Sequence, residues 1–236
     1  MEFLAASDIT PEIDWGYVDR LMQRLRETIL RLNQIVPPSI RHQDPEAFLQ
    51  RHLDRVVLVS RQREIVKRLN NQGRRPEQVF FSWMRGYVIT EFFCPALSKV
   101  FGVTLDSINR IGEDTLAEDD TFRRAPTADL EITVKGTRVR IEVQSGYKER
   151  KDIKQHKVEE AHRMLRSDGV RTVDIHFDLF NGRVAFVQLD SLPLEGEGWV
   201  ARKEMEGQRV FEIQDKHFMW QLLDEPPRLD DVGLVL

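Results

Sequence analysis

The segment ADLEITVKGTRVRIEVQ, residues 128–144, decides the fold. Ala128 to Val134 alternates apolar and polar residues, Thr137 to Gln144 does the same, and Lys135-Gly136 separates the two runs. Period-two alternation around two turn residues predicts a β-hairpin. With Lys135 and Gly136 as the turn, Val134 opposes Thr137 and every opposed pair sums to 271. Leu130, Ile132, Val139, Ile141 and Val143 then share the core side, while Asp129, Glu131, Arg140, Glu142 and Gln144 share the other face. Glu131 opposite Arg140 is a favourable cross-strand pair. Asp129 opposite Glu142 places like charges about 4.5–5.5 Å apart at Cβ. Two explanations stand: water and Arg140 screen the pair, or both carboxylates ligate a hard divalent cation.

Upstream of the hairpin the spacing is helical. Trp15, Val18, Met22, Leu25, Ile29 and Leu32 recur at steps of three and four until Pro37-Pro38. This stripe suits either a core-facing helix or a self-pairing dimer helix. A second helix is expected from Asp44-Pro45 through Leu53, Val56 and Val57 to Leu69, with a basic end in which Arg61, Arg63, Lys67, Arg68, Arg74 and Arg75 face only Glu64. A third is expected from Val79 to Cys94, where Pro95 should end or kink it. Phe80, Met84, Tyr87 and Val88 form its apolar stripe, and Glu91 falls in line with them, so that carboxylate needs a partner.

Beyond the hairpin, residues 150–167 return to helical spacing and Asp168-Gly169 closes the run. Val173, Ile175, Phe177 and Leu179 alternate as a strand, Asn181-Gly182 turns, and Val184 to Leu189 returns. A last hairpin is expected from Trp199 to Ile213 around Glu206-Gly207. The stretch from Gly112 to Thr121 is acidic and loop-like. These elements predict an α/β fold, a central mixed β-sheet flanked by helices. Residues 1–78 form a helical N-terminal region that binds DNA or a second subunit, residues 79–190 the core, and residues 191–236 a C-terminal hairpin and tail.

A helix bearing Glu91, a strand bearing Asp129, a strand bearing Glu142-Val143-Gln144, a basic helix and another strand follow in that order. Over residues 79–190 this arrangement resembles the PD-(D/E)XK nuclease superfamily, most closely its type II restriction endonucleases. The resemblance implies a restriction-endonuclease-like fold and Mg²⁺ held by Asp129 and Glu142, helped by the Val143 carbonyl and by Glu91. It also gives the third motif position, Gln144, the task of assisting the attacking water. The sequence departs from the pattern twice. Pro126 stands three residues before Asp129 where the family has an adjacent proline, and Gln144 stands where lysine is usual. A neutral amide supplies no positive charge, yet it orients a nucleophile by hydrogen bonds, and an ExQ variant occurs among active restriction enzymes of this superfamily.

Lys148, Arg150, Lys151, Lys154 and Lys157 outnumber Glu149 and Asp152 just after the motif, so this run is expected to contact DNA phosphates, with Arg61 and Arg63 as further candidates. Lys plus Arg total 35 against 39 Asp plus Glu, a net charge of −4, which excludes coating nucleic acid by bulk charge but not a local basic site. Asp174, His176 and Asp178 read as the polar face of a sheet; His42, His52, His162 and His217 lack ligand spacing, and no HNH-like cluster or glycine-rich phosphate loop appears. With 41% hydrophobic and 31% charged residues the composition is globular. Cys94 alone permits no internal disulfide, no apolar run nears the ~20 residues of a membrane span, and Met1-Glu2-Phe3-Leu4 lacks the basic start of a secretory signal. The expectation is a cytoplasmic, homodimeric enzyme that cuts double-stranded DNA with Mg²⁺ and has no membrane association.

Overall fold

The computed structural model describes residues 12–69, 74–112, 128–146, 151–202 and 207–236. The expected acidic loop, from residue 113 onward, and Pro126 lie outside them. Helices are α1 (Trp15–Ile35), α2 (Pro45–Leu49), α3 (Arg55–Gln62), α4 (Pro76–Phe101) and α5 (Gln155–Asp168). Strands are β1 (Asn109–Arg110), β2 (Leu130–Val134), β3 (Thr137–Gly146), β4 (Asp152–Lys154), β5 (Arg171–Asp178), β6 (Arg183–Gln188), β7 (Trp199–Arg202), β8 (Gln208–Glu212) and β9 (Phe218–Gln221). The chain divides into two compact units. One holds residues up to 34 together with 42–92; the other holds 35–41 and 93–236. The division falls inside α4, where the sequence suggests a boundary near residue 78.

In the first unit the α1 stripe is core-facing. Val18, Met22, Leu25, Ile29 and Leu32 are buried within the chain, which removes them from any self-pairing surface. The second predicted helix is not a single α-helix. Asp44 caps α2 by accepting from the Ala47 N–H at 2.9 Å, a π-helical turn spans Gln50–Asp54, and α3 ends before Glu64, whose φ of 53° breaks the run. Ile65–Arg68 is a separate 3₁₀ turn. Pro95 does not end α4, which continues to Phe101. Proline in a helix interior costs about 3 kcal/mol. The following Ala96, Leu97, Val100 and Phe101 are all buried, and apolar side chains of this kind return about 1.5–3 kcal/mol each when fully buried.

The second unit carries a six-stranded mixed sheet in the order β1-β2-β3-β5-β6-β9 and a three-stranded antiparallel sheet, β4-β8-β7. The β2–β3 register is the one the sequence predicts: Leu130 opposes Ile141, Glu131 opposes Arg140, and Val134 opposes Thr137. Lys135 and Gly136 both have positive φ, 48° and 88°, as a two-residue hairpin turn requires. Strand β3 then pairs in parallel with β5 over eight residues, and β5 pairs antiparallel with β6. The odd-numbered face of β5 meets the end of α4, where the Phe93 and Phe177 rings stack at 3.9 Å. The opposite face is covered by α5, whose Val158 and Ala161 join Ile153, Ala185, Val187 and Phe211 in one buried cluster.

Three assignments change here. Residues 152–154 form a strand rather than the start of α5, because Ile153 pairs with Phe211 in the small sheet and Asp152 takes a bidentate contact from Arg202 at 2.9 Å. The C-terminal hairpin exists, with Trp199 opposite Phe211, but it joins β4 in a sheet. The tail supplies β9, the edge strand of the central sheet, so residues beyond 190 belong to the core. Among the described residues no helix is long and apolar enough to cross a membrane.

The small sheet depends on Gly198, whose φ is +88° and where a Cβ would lie 2.5 Å from Phe211 Cε2. Strain and overpacking together predict that Gly198→Ala destabilises the protein by about 1–3 kcal/mol. Thermal unfolding followed by circular dichroism should show a Tm several degrees lower.

Candidate active site

The hairpin and the parallel ladder bring polar groups together on the face under α5. Beyond Leu130 the chain leaves the ladder, and the Asp129 carboxylate takes over its role, accepting from the Val143 N–H at 2.7 Å. The Asp129 carbonyl accepts from the N–H groups of Ile111 and Gly112 at 3.1 and 3.3 Å, which fixes the backbone at this point. In an extended strand the N–H and C=O of one residue point the same way. The Val143 carbonyl therefore aims toward the Asp129 side.

Parallel pairing sets Glu142 beside Asp174, Gln144 beside His176, and Gly146 beside Asp178. Asp174, His176 and Asp178 do share one polar face of β5, as the sequence suggests, but that face is not exposed: all three are buried. The reason is tertiary: α5 and the small sheet cover that face. Asp178 is balanced by a buried partner, with Lys151 Nζ at 2.7 Å and the Asn181 amide also at 2.7 Å. Burial opposes its charge, but Lys151 and Asn181 prevail and hold its pKa below the ordinary value. Lys151 is thus a structural cation here, 5% exposed, in place of the surface group that a phosphate contact would use.

Glu142 is paired with the Lys157 ammonium, which reaches it from α5. Burial opposes the Lys157 charge, but Glu142, Asp174 and Asp129 outweigh it and raise its pKa. Asp174 has no such partner. Its side chain is inaccessible to solvent, and neither carboxylate oxygen makes a hydrogen bond of ordinary geometry among the described residues. Burial, with Glu142 and Asp129 adding to it, pushes its pKa up to about 8, against the opposing pull of Lys157 and the nearby Gln144 amide. Asp174 is therefore protonated at neutral pH. Sequence reasoning missed both Asp174 and the pairing role of Lys157; the signal available was the run of acidic and imidazole residues at alternate positions in β5, legible as site-forming only once the strand order is known.

Lys148 and Arg150 fall outside the described residues. Lys154 is half-buried at the start of α5. Arg61 and Arg63 belong to the first unit, where Arg61 pairs with Asp19 at 2.8 Å and lies over the Trp15 ring, and Arg63 is exposed. Glu91 is buried in the same unit with its Oε2 3.8 Å from His52 Nδ1, which also meets the Tyr87 hydroxyl at 3.0 Å. Among the described residues no group of three or more His, Cys, Asp or Glu side chains is spaced to hold a metal ion. No protein-family model and no curated protein sequence matches this chain.

The Asp174 carboxyl has a measurable consequence. The unfolded chain releases this proton near the ordinary aspartate value of 3.8, whereas the folded protein keeps it to about 8. Stability from this group is therefore fully present below pH 4 and lost as pH rises toward 8. Asp174→Asn keeps the shape and removes the titration. In metal-free buffer its unfolding free energy from urea titration, relative to wild type, should climb across that window, by an amount on the order of a few kcal/mol at pH 8.

Proposed function

We propose that the chain is a Mg²⁺-dependent type II restriction endonuclease, a cytoplasmic homodimer with a restriction-endonuclease-like core that hydrolyses double-stranded DNA to leave 5′-phosphate ends. The observation that supports this reading is the Asp129 carboxylate held on the Val143 N–H, the residue next to Glu142, with Gln144 one step further along the Glu142 strand face. The donor set fits a hard cation: carboxylate oxygens, a strand carbonyl, and the buried Asp174 carboxyl beside them. Mg²⁺ is commonly held by one or two protein carboxylates with water completing its shell. When bound, it would supply Lewis-acid stabilisation of charge developing on the scissile phosphate.

The protein groups have distinct tasks in this reading. Asp129 and Glu142 hold the cation, and the Asp129 contact to the Val143 N–H fixes the carboxylate so that it needs no reorganisation. Gln144, half-buried at the strand end, orients the attacking water through its amide. Lys154, together with Lys148 and Arg150, positions the DNA by its phosphates. A dimer matches one active site to each strand of a palindromic sequence.

A second reading is a nuclease-like module that binds DNA or a protein without cutting. One observation favours it: in this structure both carboxylates already have partners within the chain, Val143 for Asp129 and Lys157 for Glu142. Incubation with phage DNA and Mg²⁺ separates the readings. Discrete bands are expected; a smear or structure-dependent nicking indicates a repair or defence nuclease, and intact DNA indicates the binding module.

Asp129→Ala and Glu142→Ala should each abolish cleavage while retaining specific DNA binding in Ca²⁺, measured by gel shift. Wild-type rates from either variant would remove the site assignment. Gln144→Ala should lose about 10²–10⁴-fold in the single-turnover rate, the range for a group that positions or assists a proton transfer.

A further inference from the structure

The carboxylate cluster already contains a cation, and it belongs to the protein. Lys157 Nζ sits on Glu142 Oε2, and its charge is also felt by Asp174 and Asp129. The Lys157 side chain is 27% exposed, whereas Lys151, the other ammonium donated to this face, is 5% exposed. The two differ in their surroundings as well. Lys151 satisfies an aspartate that has a further partner in Asn181, while the Lys157 neighbourhood includes a wholly buried carboxyl, Asp174, whose oxygens make no hydrogen bond of ordinary geometry among the described residues and have only the nearby Gln144 amide. A buried polar group so weakly satisfied is costly to retain. Its position beside Glu142 on the parallel ladder points it into the same cluster. Among the described residues these carboxyl groups are not spaced as a ligand set.

We propose that Lys157 is the resident cation of the Asp129–Glu142–Asp174 cluster and that a divalent cation binds by displacing it from Glu142. The inference rests on the reading of Asp129 and Glu142 as cation ligands, and it adds Asp174 and an exchange step. The ammonium compensates the carboxylates while no ion is present, which keeps the sheet face from being destabilised by like charges. Its aliphatic stem is anchored on α5, and its partial exposure gives the head a route to water. Exchange replaces a single positive charge with a double one among the same oxygen atoms. Apart from the Asp174 carboxyl proton, which passes to water as the cation binds, no covalent bond changes.

The test measures binding rather than turnover. Mn²⁺ and Ca²⁺ affinities would be determined by isothermal titration calorimetry on the full chain, with thermal unfolding as a second readout. Lys157→Met keeps the stem and removes the competitor, so its Kd for Ca²⁺ should fall about tenfold, in line with the 1–3 pK units that one neighbouring charge contributes. Lys157→Arg should move the other way and weaken Ca²⁺ binding, because a guanidinium holds a carboxylate at two points. Asp174→Asn should weaken binding in either background. An unchanged or higher Kd in Lys157→Met, or the absence of cation binding from both wild type and this variant, would overturn the proposal. If Lys157→Met does not fold, the Arg variant decides alone: an unchanged or tighter Kd overturns the exchange. Tighter binding in Lys157→Met alongside wild-type protein that leaves phage DNA intact would keep the exchange and discard the nuclease reading. DNA cleavage with cation affinity indifferent to Lys157 would do the reverse.

Discussion

The parallel pairing of β3 with β5 is the constraint on which the rest of the second unit depends. Neighbouring strands lie about 4.8 Å apart, and residues in register send their side chains to the same face. Eight pairs in register leave no freedom in what meets what: Glu142 is beside Asp174, Gln144 beside His176, and Gly146 beside Asp178. The antiparallel hairpin on the other side of β3 adds Asp129. A sheet that buries polar residues at consecutive same-face positions must then provide partners from whatever covers that face. Here the cover is α5 with the small sheet, and the cations come from the segment that enters α5.

The partners are distributed unevenly. Asp178 has Lys151, and Asp190, just beyond β6, has Arg171 at 3.0 Å and the Thr172 N–H at 2.8 Å. Glu142 has Lys157. Breaking a buried pair by removing one member costs about 3–5 kcal/mol, because the survivor is left uncompensated. Asp178 and Asp190 are therefore structural anchors of the sheet ends. Asp174 differs, since it lies between the pairs and carries its burial by keeping a proton. A carboxyl held in that state contrasts with the paired Asp178, Asp190 and Glu142, and such exceptions cluster where a protein does chemistry or binds ions.

The legible part of the fold was whatever depends on local periodicity. The hairpin register followed from two alternating runs and a two-residue turn; the closing of α5 at Gly169, whose φ is +65°, followed from its sequence as well. What depends on partners distant in sequence was not legible. Ile153 fits helical spacing with Val158 and Ala161 but is drawn into a strand by Phe211, 58 positions later. Pro95 is a stop signal overridden by the burial of Leu97, Val100 and Phe101. Asp174, His176 and Asp178 alternate like a solvent-facing strand, and nothing within β5 announces that α5 will cover them. Half of the candidate site, Asp129, Glu142 and Gln144, could be read because it lies on one hairpin. The other half, Asp174 and Lys157, arrives through a crossover connection.

The same geometry gives a physical account of Gln144. A lysine at that position would bring a second ammonium to a face that already holds Lys157 against Glu142. Two ammonium groups near one carboxylate pair repel each other and lower the local affinity for any divalent cation. A neutral amide avoids this, retains both donor and acceptor capacity, and stays compatible with His176 across the ladder. The neutral amide at Gln144 and the presence of Lys157 are thus a single electrostatic arrangement: the positive charge reaches the cluster from the helix, and the strand position beside it is left neutral.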